Sequence, residues 1–421
     1  MAKRAIPGPW TQQSWLGFPP CGYTSSTERR AGHILEKRVP VRLQVEEQVK
    51  EEEAAREEMM KMAMNEDMKT NARFPYALRR VPQEHLACLL PCSEPPQPGD
   101  IALAKVEKIG RNTNLELPSG RRCALYVGDL MVGVFGNRYA TMQFEGYART
   151  DGERCDLLSM AGVCGLVESK HDGVGEPSKL RLLGFVAGPD GRKLRLRQFA
   201  LPPAPLELGP RVVVVCGTSM DSGKTRTVAS IIKGLRQDGH RVVGVKLTGT
   251  ASGKDTLSML DAGACEALDF VDGGLPSTYL CNLDELLHLH LTLLAHASRR
   301  KAAFVVLEIA DGLLQNETAA LLQNPRFTRT VDAWVFAAGD PLGAAGGTRV
   351  LRSWGIHPIA ISGVVTMSAL GIREAQTATG LPCLTVRELE SGELNAKLME
   401  DKPKPESAAK VGGKNSKQHT Q

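Results

Sequence analysis

The stretch that decides the fold is Arg211-Val212-Val213-Val214-Val215-Cys216, followed by Gly217-Thr218-Ser219-Met220-Asp221-Ser222-Gly223-Lys224-Thr225. After Arg211 the first part is unbroken apolar, the pattern of a strand buried on both faces of a parallel sheet. The second part is a glycine-bounded loop, and a helix is expected from Thr225 to about Asp238, stopping at Gly239. Strand, loop and helix in that order form a phosphate-binding context. The backbone N–H groups of such a loop turn inward toward phosphate oxygens, and the helix N-terminus adds partial positive charge. The expected phosphate contacts are Gly217, Thr218, Ser219, Asp221, Ser222, Gly223, Lys224 and Thr225. Lys224 is expected at the β- and γ-phosphates, and the Thr225 hydroxyl on Mg²⁺. Five residues separate Gly217 from Gly223, where the commoner spacing is four.

Outward from this loop, residues 210–398 alternate apolar runs with helical segments. The expected strands after Cys216 are 242–245, 304–308, 333–337, 358–365 and 383–386. Regular βα alternation implies an α/β, doubly wound parallel sheet. Asn282 with Glu285 reads as a capping box opening the helix before Phe304. Glu308 ends an apolar strand, where a Mg²⁺-ordering acid belongs; a structural salt bridge is the other reading. Lys246 ends the second strand and is expected to neutralise charge on a transferred phosphoryl group, against a plain exposed lysine. Asp255, in Ser252-Gly253-Lys254-Asp255, sits just past a flexible loop and reads as a further Mg²⁺ ligand or as a helix cap. Asp311, in Glu308-Ile309-Ala310-Asp311-Gly312, reads as a catalytic group that orients water or as a turn residue.

Residues 81–203 read as short strands separated by turns, a small β-barrel or sandwich. Asn114–Leu117 and Arg121–Val127 flank Pro118-Ser119-Gly120 as a hairpin, and Pro189-Asp190-Gly191 marks a second. Gly136-Asn137-Arg138-Tyr139 reads as a structural turn in preference to a functional loop. Leu201–Pro205 is a stiff linker. Residues 1–80 form a separate extension: broken by Pro and Gly, then Glu-rich from Glu46 to Glu58, low-complexity, helical or disordered. The methionines at 59, 60, 62, 64 and 68 place the expected native start there. Residues 399–421 are polar, Lys-rich and expected to be disordered.

The whole chain bounds the function class. It has 421 residues, 42% apolar, with a formal charge of +5 and 5% aromatics. That surplus and that aromatic content give no case for nucleic-acid binding. Ten scattered cysteines without a CxxC pair argue for reduced thiols and a cytoplasmic location. No apolar run approaches the roughly 20 residues that span a bilayer. His288, His290 and His296 with Glu285, and Cys88 with Cys92, Cys123 and His85, have spacings that a metal can use. The histidine segment reads in preference as an ordinary sheet-covering helix, and metal binding is the lesser reading of both groups.

Together these residues resemble the dethiobiotin synthetase group of P-loop NTPases, allied to the cobyrinic acid diamide synthases and the MinD/ParA-type ATPases. The resemblance covers about residues 210–390. Gly217, Thr218, Gly223, Lys224 and Thr225 match that group's GT-x4-GKT loop; Lys246, Asp255 and Glu308 fall at its second lysine, loop Asp and Walker-B Glu. It implies that Thr225, Asp255 and Glu308 hold Mg²⁺ and that Lys224 and Lys246 touch phosphate. Asp340-Pro341-Leu342-Gly343 is similar to its glycine-bearing turn. Ile309-Ala310-Asp311-Gly312 replaces its Gly-Ala-Gly-Gly, and Thr366-Met367-Ser368 stands where its adenine-reading Asn is expected. The preceding β-domain is foreign to dethiobiotin synthetase and points to an uncharacterised bacterial family.

The expected activity is Mg²⁺-dependent ATP binding with hydrolysis or phosphoryl transfer to a small carboxylate-like acceptor, ligase-like; GTP is the alternative nucleotide. The other reading is a nucleotide-gated switch, or a cofactor-assembly or delivery factor acting through a partner protein. A homodimer is possible in either case, and no membrane or nucleic-acid partner is expected.

Overall fold

The computed structural model describes residues 62–64, 66–205 and 209–400. The expected extension up to residue 61 and the tail after 400 lie outside these residues. Of the rest of that extension, residues 62–64 and 66–80 are described and include strand, helix and buried positions. Its strand β1 (Met62–Ala63) pairs with β2 (Cys88–Leu90), and helix α1 (Glu66–Asn71) leads into the buried Tyr76, Ala77 and Leu78.

The N-terminal lobe continues with β3 (Ile101–Lys108), β4 (Asn114–Glu116), β5 (Arg122–Ala124), β6 (Leu130–Phe135), β7 (Phe144–Tyr147), β8 (Arg154–Leu157), β9 (Val163–Lys170) and β10 (Ser178–Ala187). Strand β10 pairs with β3, β3 with β6, β6 with β9, β9 with β8, and β8 back with β10. This circuit closes a small barrel, which leaves those strands no free edge. Only β6–β9 is parallel among these pairs. The expected first hairpin is β4–β5, with Gly120 at φ 81° in its turn. The second forms at Gly191, φ 72°, but its return arm makes isolated bridges and then a short 3₁₀ turn at Leu196–Phe199.

The C-terminal lobe is one six-stranded sheet in the order β13-β12-β14-β11-β15-β16. Its strands are β11 (Arg211–Gly217), β12 (Val242–Lys246), β13 (Glu266–Asp269), β14 (Phe304–Glu308), β15 (Ala333–Ala337) and β16 (Ala360–Ser362), and every pairing is parallel. Alternation along β11 splits the core. Val212, Val214 and Cys216 face one side with Leu286, Leu293, Phe327 and Leu351; Val213 and Val215 face the other with Val228, Ile231 and Leu235. Helices therefore cover both faces: α2 (Lys224–Gln237) and α3 (Gly253–Asp261), then α4 (Leu283–Arg299), α5 (Asn316–Leu322), α6 (Pro325–Thr328), α7 (Pro341–Ser353), α8 (Ala369–Thr379), α9 (Val386–Glu390) and α10 (Asn395–Met399). The α2 helix ends at Gly239, whose φ of 83° supplies the left-handed stop.

Two expectations about strands need correction, and one strand was not expected. Residues 358–365 contribute only Ala360–Ser362, because Gly363 turns the chain at φ 95°. Residues 383–386 make one bridge, Ile361 to Cys383, before Thr385 and Glu388 form a capping box that starts α9. Strand β13, at the sheet edge, is four residues long with an acid at each end, so it carries too weak an apolar signal to read in sequence.

The two lobes share one continuous apolar cluster. Leu103, Val132, Val134 and Val163 of the barrel belong to the same cluster as Val214, Val245 and Leu307 of the sheet. At the seam, Tyr76 Oη donates to Asp269 at 2.9 Å, and Arg79 bonds both Asp269 and Asp272 at 2.7 Å. A buried acid is tolerable in such surroundings because both its oxygens are satisfied.

Candidate functional site at the carboxyl edge of the parallel sheet

Register assembles the site. Val215 lies beside Glu308, Gly217 beside Ala337, and Lys246 beside both Glu308 and Asp269. The ends of β11, β12 and β14 therefore bring Gly217, Lys246 and Glu308 to one edge, where ligands bind in open α/β sheets.

The loop from Gly217 to Lys224 is held by close backbone contacts. A Cβ on Gly217 would come within 2.6 Å of Ser222 Oγ and 2.7 Å of the Ala337 carbonyl. Asp221 and Gly223 adopt φ of 62° and 97°, and Gly223 opens α2. A second glycine closes the loop from behind: Val364 N–H donates to the Ser222 carbonyl at 3.1 Å, and a Cβ on Gly363 would stand 2.3 Å from that oxygen. Gly312 does the same from the far side, its would-be Cβ 2.3 Å from the Thr218 carbonyl. Lys224 Nζ reaches back to the Ser219 carbonyl at 2.6 Å. Thr218 Oγ1 accepts from Gly339 N–H at 3.3 Å, while the Ser219 hydroxyl bonds the neighbouring Met220 carbonyl.

Thr225 is the meeting point of the acids. Its Oγ1 stands 3.1 Å from Asp255 Oδ1 and 3.0 Å from Glu308 Oε1. One hydroxyl hydrogen cannot serve both. The second Glu308 oxygen is enclosed without any partner. Lys246 Nζ is paired with Asp255. Asp255 is not the cap of α3: Ser252 holds that position, and Asp255 sits within the first turn. Lys246 is buried and ion-paired, so it is not an exposed strand-end lysine.

Charge states follow from burial and neighbours. Burial pushes the Glu308 carboxyl upward, with Lys246 and Lys224 pulling against it. Burial also opposes ionisation of Asp255, but Lys246 outweighs it and holds that carboxyl below its ordinary range. Lys246 is pushed down by burial yet ends raised, through Asp255 and Glu308. Lys224 is lowered by burial. Asp311, at φ 62°, is raised by burial and faces Lys224 and Lys246. The donor set around Thr225 is a hydroxyl and two carboxylates, all hard oxygens with one carboxylate oxygen unsatisfied. That composition fits a Mg²⁺ ion with water and phosphate completing its shell.

These residues open into a cavity of about 560 Å³ between the lobes, lined by Lys224, Thr225, Lys246, Asp255, Glu308 and Asp311 on one wall. The N-terminal lobe supplies the facing wall, including Arg111, Glu116, Arg138, Tyr139 and Ser159. Sequence reasoning did not find Glu116, Gly312 or Gly363. Glu116 Oε2 accepts from Gly253 N–H at 2.8 Å and so caps α3 from the other lobe. It lies on a three-residue strand, and a contact 137 positions away leaves no local signal.

The remaining candidates stay apart from this site. His290 Nε2 bonds Thr330 Oγ1 at 2.8 Å, and His296 Nε2 bonds the Pro202 carbonyl at 2.8 Å. No group of three or more His, Cys, Asp or Glu side chains suited to a metal occurs among the described residues. Their nine cysteines are free thiols. No helix among them is long and apolar enough to cross a membrane.

The class that this topology and loop define is an α/β protein with a phosphate-loop type of strand, loop and helix. No family profile and no curated protein matches the chain. Among solved structures it is similar to a DUF1611 family protein from Anabaena variabilis, at 16% identity and a TM-score of 0.35, over 49% of this chain and 64% of that one. It is also similar to the signal recognition particle 54 kDa protein from Aeropyrum pernix in complex with GDP, at 19% identity and 0.32, over 46% and 47%. A third is the signal recognition particle receptor FtsY from Elizabethkingia anophelis, at 12% and 0.30, over 47% and 68%. The chain spans less than two thirds of the first two. At these values the reading of the site rests on this chain's own geometry.

Proposed function

We propose that the chain binds a magnesium-complexed nucleoside triphosphate, ATP in the first instance, and transfers its γ-phosphoryl group to water or to a carboxylate-bearing acceptor. The observation that carries this is Thr225 at the start of α2 between two buried carboxylates, one of them with an unsatisfied oxygen. When bound, Mg²⁺ would be held by Thr225, Asp255 and Glu308 and would supply charge neutralisation between the β- and γ-phosphates. The loop amides and the α2 N-terminus cradle the phosphates. Lys224 exchanges the Ser219 carbonyl for phosphate oxygen, and Lys246 holds Asp255 ionised while adding positive charge. Asp311, on the same wall as both lysines, positions the attacking oxygen. That oxygen forms a bond to the γ-phosphorus as the bridge to the β-phosphate breaks. The products are nucleoside diphosphate and either inorganic phosphate or an acyl phosphate.

Lys224→Ala tests this directly. Turnover of Mg-ATP is expected to fall at least about a hundredfold, the scale of losing one charge-stabilising group. Equal hydrolysis by both proteins overturns the assignment. Isothermal calorimetry with Mg-ATP and Mg-GTP decides the base.

One observation favours the switch reading. The helix carrying Asp255 is capped by Glu116 of the N-terminal lobe, so anything that moves Asp255 on phosphate loss is felt in the other lobe. A nucleotide-dependent change in partner binding, without acceptor-stimulated turnover, distinguishes that role.

A further inference from the structure

Arg138 follows β6 in the Gly136-Asn137-Arg138-Tyr139 turn and lines the same cavity as Lys224 and Asp311. Its backbone is fixed by a two-way bridge: Arg138 N–H donates to the Gly146 carbonyl at 2.8 Å, and Gly146 N–H donates back at 3.0 Å. One terminal nitrogen donates to the Leu158 carbonyl, and the guanidinium carbon stands 5.9 Å from the Phe144 ring centre. Lacking is an acid. Among the described residues no carboxylate lies within ion-pair distance of Arg138, and its Nε is enclosed without a partner. The contrast at the same seam is Arg79, which has two carboxylates at 2.7 Å.

A guanidinium withdrawn from water without a counter-charge is costly. Burial pushes that of Arg138 down to about 10, with Asp311 pulling the other way, and it stays cationic near neutrality. Its planar fork matches carboxylate and phosphoryl oxygens in pairs. Arg111, Arg122 and Lys254 line the same cavity and reinforce its sign.

We propose that Arg138 anchors an oxyanion in the cavity between the lobes, either the γ-phosphoryl group of the bound nucleotide or the carboxylate of the acceptor. The proposal rests on the nucleotide reading of the site and names the class of molecule its far wall receives.

The test uses the full chain with Arg138→Met, which removes the charge at similar volume, and Arg138→Lys, which keeps charge without the fork. The probes are Mg-ADP, a non-hydrolysable Mg-ATP analogue and malonate, read by calorimetry and by melting temperature. If the anion is the γ-phosphoryl group, Arg138→Met loses its preference for triphosphate over diphosphate by about tenfold or more, and malonate has no effect on either protein. If it is the acceptor carboxylate, both nucleotides bind as in the wild type and the malonate-induced rise in melting temperature disappears. Arg138→Lys falls between in either case. Without ligand, Arg138→Met is expected to melt no lower than the wild type, because an unpaired charge has been removed. The proposal is overturned if both variants bind all three probes as the wild type does, or if the wild type binds none. It is overturned equally if ligand-free Arg138→Met unfolds far below the wild type, which marks a structural arginine. Malonate binding lost in Arg138→Met, in a wild type that takes up no nucleotide, removes the nucleotide reading and leaves the anion site standing.

Discussion

Single atoms decide the loop. Gly217, Gly312 and Gly363 each sit where a Cβ would meet backbone oxygen within 2.7 Å. Only Gly217 belongs to the motif that sequence reading recovers. The other two reach the loop from the ends of β14 and β16, and nothing in their own neighbourhoods marks them. Gly312→Ala puts a methyl 2.3 Å from the Thr218 carbonyl, so the loop must move. Mg-ATP affinity is expected to drop about tenfold or more while the fold persists, since strain of about 1–3 kcal/mol is affordable to a domain this size. Calorimetry beside a circular-dichroism melt checks both halves; wild-type affinity in a folded variant would show that the loop tolerates the displacement.

At the scale of elements, α4 shows why the histidine spacing misleads. His290 is fully buried, edge-on to Phe327, with Nε2 at 2.8 Å from Thr330 Oγ1. The Thr330 hydroxyl donates to the Phe327 carbonyl at 2.7 Å, so the imidazole Nε2–H donates to it and Nδ1 is left bare. Burial pushes this histidine down from 6.5 to about 4. Between those values the unfolded chain takes up a proton that the folded one refuses. Stability is therefore intact above pH 6.5 and falls as the pH drops toward 4, by up to about 3 kcal/mol, levelling off below. Urea titrations of His290→Gln across that window are expected to show a flatter profile; an unchanged slope would mean that other groups carry the acid sensitivity. Strands β11 and β14 were legible because burial on two faces forces unbroken apolar runs, and α2 because a glycine-bounded loop opens it and Gly239 stops it. Strand β13 and the end of β16 were not, because a four-residue edge strand and a glycine turn leave no periodicity to read.

At the scale of the molecule, the seam between the N-terminal lobe and the parallel sheet left no mark in the sequence. Tyr76 and Arg79 lie 193 and 190 positions from Asp269 and meet it at one buried point. Asp269→Ala would leave the Arg79 guanidinium and the Tyr76 hydroxyl short of their main acceptor. Denaturant unfolding is expected to show a loss of about 3–5 kcal/mol. A change below about 1 kcal/mol would indicate that Asp272 takes over alone.

The Glu116 carboxylate has a consequence of its own. The first turn of the helix that presents Asp255 is finished by a residue more than a hundred positions upstream, on a different sheet. Separating the N-terminal lobe from the parallel sheet would thus leave that turn to fray, with Asp255 on it. The proposed chemistry is therefore expected to need both lobes, and exchanging the N-terminal lobe for a relative's should preserve it only where the donor brings an acid to that same spot.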